Sequence, residues 1–213
     1  MHLYKLAELY QLRRQSTLID HQIELVLASS SPFRRRLLGQ LSVEFRTLDP
    51  DIDESPLPNE KPQTLVRRLA IAKARAVVSR APTALIIGSD QVAVHQGAIV
   101  GKPRDHADAV TQLLSSSGKT ITFFTSVALL NTTNDSLQVE VVPFAVRFRP
   151  LTREKIEYYL DREKPYECCG SLRADGLGIA LLDQLRGDDP TALIGLPLTV
   201  LTKMLEKEGF RVL

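Results

Sequence analysis

An acid that follows a buried apolar run is a candidate functional residue, and Asp90 in Gly88-Ser89-Asp90-Gln91 has that placement. The run before it, Ala84-Leu85-Ile86-Ile87, reads as a strand covered on both faces. Asp90 is therefore expected just past the strand's carboxyl end, where acids of α/β sheets face the ligand crevice. A second group of acids, Asp49, Asp51, Asp53 and Glu54, lies in a Pro- and Asp-rich loop from Asp49 to Pro62. With Asp90 they offer oxygen ligands and no His or Cys, which suits a hard divalent ion such as magnesium or manganese bridging carboxylate and phosphate oxygens. Which loop acid would be the ligand stays open at this point, and a solvated turn is the alternative for each.

Cations accompany these acids. Ala28-Ser29-Ser30-Ser31-Pro32 places hydroxyls and free N–H groups before a helix, with Arg34, Arg35 and Arg36 immediately after. Helix N-termini attract phosphate, whereas cationic side chains in the first turn oppose the macrodipole, so helix stability alone would not select three arginines. Arg34, nearest the loop, is the candidate anion ligand; a solvated basic face is the alternative. Lys73 falls on the same helical face as Leu65, Leu69 and Val77, so it either snorkels or is committed to a buried anion. Ser117-Gly118-Lys119-Thr120 resembles the end of a phosphate-binding loop, but Leu113 stands where that motif needs glycine, and the segment follows a helix and precedes a strand. It reads as a turn.

These residues need elements to hold them. Ile23 to Leu27 reads as a strand, then a helix capped by Ser31 with Pro32 at its first position continues through Leu37, Leu38 and Leu41. A helix from Thr64 to Ser79 carries Lys73. Val92 to Val100 reads as a hairpin turning at Gln96-Gly97, and Gly101-Lys102-Pro103 opens a helix through Leu114. Two long strands, Thr120 to Leu130 and Val139 to Phe148, are joined by the polar turn Asn131 to Ser136. A helix from Thr152 to Arg162, a strand from Ile179 to Leu182, a loop from Arg186 to Pro190 and a last helix from Pro197 to Glu208 complete the chain. The expected architecture is α/β: a single domain, residues 23–213, with a mixed, twisted β-sheet flanked by helices.

The 213 residues suffice for one such domain, and 44% hydrophobic with 24% charged residues is a globular composition. A net charge of +2 does not indicate a nucleic-acid binder. Cys168 and Cys169 are adjacent, which disfavours a bridge and suggests small packing residues in a reducing, cytoplasmic setting. Residues 1–22 are interrupted by Glu8, Arg13, Arg14 and Asp20, so they read as a short N-terminal extension without a signal-peptide core. No apolar run is long enough to suggest a membrane partner.

With these residues in view, the chain resembles the Maf family of nucleoside triphosphate pyrophosphatases. The resemblance runs from Leu25 to Glu208. It is carried by Leu27-Ala28-Ser29-Ser30-Ser31-Pro32-Phe33-Arg34-Arg35, Asp51-Ile52-Asp53-Glu54, Ala72-Lys73-Ala74, Ile87-Gly88-Ser89-Asp90-Gln91-Val92, Gly101-Lys102-Pro103, Gly176-Leu177-Gly178 and Gly195-Leu196-Pro197. It implies Asp90 as proton acceptor for an attacking water and Glu54 as the metal-holding acid. It also implies Ser29, Arg34, Lys73 and Lys102 as the cradle of a triphosphate, and the products as a nucleoside monophosphate and pyrophosphate. Relatives imply a homodimer. A nucleotide-binding regulator of cell division is the alternative that the same resemblance carries.

Maf proteins acting on dTTP and UTP mostly carry Asp-Thr and an arginine where this chain has Asp90-Gln91 and Phe33. The pattern here is similar to the 7-methyl-GTP pyrophosphatase subfamily, with Asp175 at its third specificity position; dTTP or UTP is the alternative substrate. N7-methylation makes guanine cationic, and an aromatic face attracts such a ring by about 0.5–2 kcal/mol. A carboxylate accepting from guanine N1–H and its amino group contributes roughly 1.5–3 kcal/mol. Phe33 stands where some relatives have Trp, and Asp175 where Glu is expected.

Overall fold

The apolar residues after position 22 form strand β1 (Glu24–Ala28), whose side chains alternate between two covered faces. Leu25 and Leu27 join one core cluster, Val26 and Ala28 another. The computed structural model of the chain describes residues 23–213; the expected extension, residues 1–22, lies outside them. Seven strands form one mixed sheet in the order β2 (Arg46–Leu48), β1, β3 (Ala84–His95), β5 (Thr120–Asn131), β6 (Ser136–Phe148), β7 (Leu182–Arg186), with β4 (Ala98–Val100) paired to β3. β1 runs parallel to β2 and β3, and the remaining pairs are antiparallel. The α/β expectation holds.

Helices cover both faces. α1 (Pro32–Gly39) begins as expected, with Ser31 Oγ accepting from the Arg34 amide and Pro32 in the first turn. It stops short of Leu41, which still packs on the core through Leu38 and its neighbours. α2 (Pro62–Ala76) buries Leu65, Leu69, Lys73 and Ala74 against β3 and β5. α3 (His106–Ser116) starts later than expected, because Asp105 caps it and Gly101-Lys102-Pro103 remains a loop. α4 (Arg153–Glu163), capped by Thr152, packs on α3.

The C-terminal third differs most from expectation. Residues Leu177–Leu181 form a 3-10 turn instead of strand, entered by an Ile179 amide that donates to the Gly176 carbonyl; Gly178 lies so close to the Arg173 carbonyl that a Cβ would come within 2.4 Å. The strand follows as β7. The expected loop before the last helix contains a short helix, α5 (Pro190–Ile194), ahead of α6 (Leu198–Lys207). Asp189, buried, knots the two together: its carboxylate accepts from the amides and hydroxyls of both Thr191 and Thr199. Among the described residues no helix is long and apolar enough to cross a membrane.

The β3–β4 turn is the two-residue form expected at Gln96-Gly97, with φ of 51° and 83°. β5 and β6 pair over twelve residues, from Thr120↔Arg147 to Asn131↔Ser136. Gly118, φ 68°, sits in the turn before β5, so the Gly-Lys-Thr segment is a turn.

Candidate active site

β1 ends at Ala28, opposite Gly88, but β3 continues for seven residues beyond that pair. Asp90 therefore lies within β3 and not past its end. It pairs with Ser126 of β5 on one side and has no β1 partner on the other. The expectation of a crevice survives in another form, because the opening is made by the shorter neighbouring strand. Ser29, Ser30 and Ser31 fill the space where β1 stops, and the chain turns there into α1.

Strand alternation distributes the polar residues. Gly88 and Asp90 point to the α2 face; Ser89 and Gln91 point to the α5 face. At Gly88 the helix backbone is so close that a Cβ would lie 2.0 Å from the Ala70 carbonyl oxygen and 2.9 Å from the Ala74 nitrogen. Lys73 sits between those two contacts. Its Nζ donates to Asp90 Oδ1 at 2.8 Å and to Glu54 Oε2 at 2.7 Å. Lys73 is 4% exposed and Asp90 5%. Burial pushes the Asp90 carboxyl above its ordinary value, against the opposing charges of Lys73 and Arg34. Oδ2 of Asp90 accepts no hydrogen bond among the described residues.

On the other face the Gly195 carbonyl accepts from both Ser89 Oγ, at 2.9 Å, and Arg34 Nε, at 2.8 Å. Gly195 has φ 124°, a conformation in which a side chain would be strained. Ser29 Oγ accepts from the Ser31 amide and is buried. Gln91 Nε2 lies 2.9 Å from Thr125 Oγ1, 2.7 Å from the Ala192 carbonyl and 3.1 Å from that of Leu193. Three acceptors around one NH2 fix the amide's polarity, leaving Oε1 as the free acceptor.

All nine residues singled out in the sequence line one cavity of about 640 Å³: Ser29, Phe33, Arg34, Glu54, Lys73, Asp90, Gln91, Lys102 and Asp175. That volume suits a nucleotide-sized ligand. Of the loop acids, Asp49, Asp51 and Glu54 reach the cavity, and Glu54 is the one that meets Lys73. Asp53 instead faces Ser55, whose side chain first and backbone amide second hold its carboxyl below the ordinary value. Lys102 stands at the rim, 2.7 Å from Glu167, with both side chains exposed. Cys168 and Cys169 are unbridged and line the wall, and Cys169 also packs against the core cluster of Ala93 and Phe123.

Phe33 and Asp175 lie together. Asp175 pairs with Arg36, and its Oδ1 is 3.5 Å from Arg173 Nε. Both guanidinium groups stand over the Phe33 ring, Arg36 at 5.8 Å and Arg173 at 5.5 Å from its centroid. Arg173 and Thr125 are not singled out by the sequence, and Gly195 enters there only within the Gly195-Leu196-Pro197 motif. For Thr125 nothing local distinguishes it from any strand threonine, while Arg173 is only one basic residue among many.

Among the described residues no group of three or more His, Cys, Asp and Glu side chains could enclose a metal unaided. Glu54 and Asp90 meeting at a cavity lined by cations do fit a hard ion that takes its remaining ligands from phosphate and water, as magnesium commonly does.

A family profile described as "Maf-like protein" matches residues 24–208. A Nitrosococcus oceani protein named 7-methyl-GTP pyrophosphatase is 54% identical over 189 residues, covering 89% of this chain and 95% of that protein. A Vibrio parahaemolyticus protein of the same name is 50% identical over 190 residues, covering 89% and 98%. The Ham1 protein of Staphylococcus aureus aligns in structure with a TM-score of 0.42 at 13% identity, over 59% of this chain and 71% of that one.

Proposed function

The chain belongs to the Maf-like protein family, and on that premise we propose that it hydrolyses 7-methyl-GTP to 7-methyl-GMP and pyrophosphate. The observation that carries the reaction class is the buried Asp90 carboxylate, facing a nucleotide-sized cavity with Lys73 on one oxygen and the other free. Desolvation raises its proton affinity while Lys73 keeps it oriented.

In this reading Asp90 Oδ2 takes a proton from water, whose oxygen attacks phosphorus at the α–β bridge. The bridging P–O bond breaks and its electron pair leaves with pyrophosphate. Ser29, Arg34, Lys73 and Lys102 hold the phosphates, their donors and charges matching oxygens that gain negative charge as the bond breaks. Glu54 would hold a magnesium or manganese ion jointly with the phosphates; when bound, the ion supplies further neutralisation of the phosphoryl oxygens.

The base is read by Phe33, Gln91 and Asp175. The Phe33 ring already accepts guanidinium cations, so its surroundings tolerate positive charge over its face. Gln91, its NH2 committed to Thr125 and the α5 carbonyls, presents an acceptor. The names of the relatives at 50–54% identity support the methylated base. Free nucleotide as substrate is consistent with the expected cytoplasmic location.

Pyrophosphate release from a panel of nucleotides, with magnesium and then manganese, tests the reading. We expect 7-methyl-GTP to be turned over in preference to GTP, dTTP and UTP. Strong turnover of dTTP with none of 7-methyl-GTP overturns the substrate assignment, and absence of hydrolysis with any nucleotide overturns the reaction class.

A further inference from the structure

Phe33 and Asp175, which the substrate reading assigns to the base, are already engaged within the protein. The Arg36 guanidinium stands over the Phe33 ring and pairs with Asp175 Oδ2. Arg173 stands over the same ring, with Nε 3.5 Å from Asp175 Oδ1. A flat cation over the ring and N–H donors on the carboxylate are the contacts that a 7-methylguanine would make. Each oxygen of Asp175 thus faces a guanidinium, but Arg173 Nε makes no hydrogen bond to Oδ1, so departure of Arg36 is enough to free the carboxylate for the N1–H and amino edge of guanine.

The two arginines are tethered differently. Arg173 Nη1 donates to Glu163 Oε1 at 2.6 Å, and Glu163 Oε2 in turn accepts from the Leu177 amide at 2.5 Å. The Glu163 carboxylate lies against Gly176, where a Cβ would come within 2.7 Å of it. Arg173 is therefore held from behind. Arg36 projects from α1 with its side chain 53% exposed, and Asp175 is its ion-pair partner among the described residues. Asp175 is largely covered, at 14% side-chain exposure, but the Arg36 end of the pair is open to solvent and no other charged group anchors it among the described residues, so Arg36 is the group that can leave.

We propose that Arg36 is a displaceable internal competitor for the base. It covers the Phe33 face and the Asp175 carboxylate when no nucleotide is bound, and yields both to the incoming purine. This deepens the substrate reading and rests on it. Charge stays balanced when a cationic base takes the place of a guanidinium, so Asp175 is never left uncompensated. The apparent affinity is the intrinsic affinity multiplied by the fraction of molecules in which Arg36 has swung away. Arg36 then sets the working concentration range of the enzyme without choosing the base.

Steady-state kinetics of Arg36→Gln with 7-methyl-GTP and GTP, magnesium present, tests this. KM should fall three- to tenfold, about 0.6–1.4 kcal/mol. The factor should be the same for both nucleotides, because the competitor is removed before either base arrives. Calorimetric titration with 7-methylguanosine, which carries no phosphate, should show the same gain in affinity. Arg36→Lys, which keeps the charge but not the planar fork, should lie between, and it carries the test if the glutamine variant fails to fold. An unchanged or raised KM, or an unchanged nucleoside affinity, overturns the proposal. If the wild type turns over dTTP and not 7-methyl-GTP, the substrate reading fails separately, and a lowered KM for dTTP in Arg36→Gln still supports displacement.

Discussion

Lys73 and Asp90 form an ion pair across the α2–β3 contact, with 2.8 Å between Nζ and Oδ1 and both side chains almost wholly buried. A buried charge is tolerable only with its partner, so the pair cannot be dissected symmetrically. Lys73→Met strands the desolvated Asp90 carboxylate and should cost about 3–5 kcal/mol of stability in denaturant unfolding. Asp90→Asn leaves Oδ1 able to accept from Lys73. It should keep the fold and nucleotide binding while lowering pyrophosphate release by roughly 10²–10⁴. Retained hydrolysis in Asp90→Asn would show that another group takes the proton.

The pH dependence follows from the same burial. Asp90 acts as base only when ionised, and burial raises its pKa above the ordinary carboxylate value. The acid limb of kcat/KM should therefore lie above that value, the rate falling as pH drops through it. Arg34 favours the ionised form, so Arg34→Gln should move the limb to higher pH as well as weaken binding. A limb that stays in place in this variant, measured across matched buffers, would detach the profile from Asp90.

Thr125 should act on base recognition through Gln91. Its hydroxyl takes the Gln91 NH2 and donates at 2.8 Å to the Ala192 carbonyl, locking the amide in one of its two orientations. Thr125→Val removes one of three acceptors around the Gln91 NH2 and the hydroxyl donor to the Ala192 carbonyl, at a cost of about 0.5–1.5 kcal/mol. KM for 7-methyl-GTP should rise more than kcat falls, and Thr125→Ser should restore it. Equal losses in KM and kcat, or no rescue by serine, would point to a packing role instead.

The cysteines on the cavity wall should be poor nucleophiles at neutral pH. Burial pushes both thiols up to about 11, and their proximity to each other adds to the effect at Cys168. Only the thiolate alkylates, so labelling by iodoacetamide at pH 7.5 should be slow and should rise about tenfold per pH unit towards pH 10. Nucleotide should protect both, since both line the cavity. Mass spectrometry resolves the adducts, and fast, unprotected labelling at pH 7.5 would contradict the placement.

What was legible in the sequence was whatever has a local cause. Ser31 and Pro32 announce α1, Gln96-Gly97 announces a tight hairpin, and the spacing of Leu65, Leu69 and Lys73 identifies the buried face of α2. The set of site residues was legible too, since all nine line one cavity. The position of Asp90 was not. Gly88-Ser89-Asp90-Gln91 looks like a loop because three polar residues in a buried strand are costly. They are affordable only through partners distant in sequence: Lys73 for Asp90, Gly195 for Ser89, Thr125 and Ala192 for Gln91. The close approach at Gly88, which brings Lys73 within reach, likewise leaves no trace beyond a lone glycine. The pairing of Arg36 and Arg173 with Asp175 joins segments about 140 positions apart or a turn away, and no spacing rule links them.

The two acids at the site belong to parts of the molecule with different lifetimes. Asp90 is stitched into β3, whose neighbour β5 is itself paired along its length to β6, so its amide opens only with the sheet. Glu54 sits in residues 49–61, which contain no helix or strand and are tied to α2 by side chains: Lys73 on Glu54, Arg68 on Glu60 and the Ser55 carbonyl, and Ile52 on the apolar cluster of Leu65 and Leu69. Backbone deuterium uptake should accordingly divide the site into a slow half around the proton acceptor and a fast half around the metal-holding acid. Nucleotide would then be registered chiefly as a slowing of the fast half, so the chemistry would wait on the capture of a loop by a strand that never lets go.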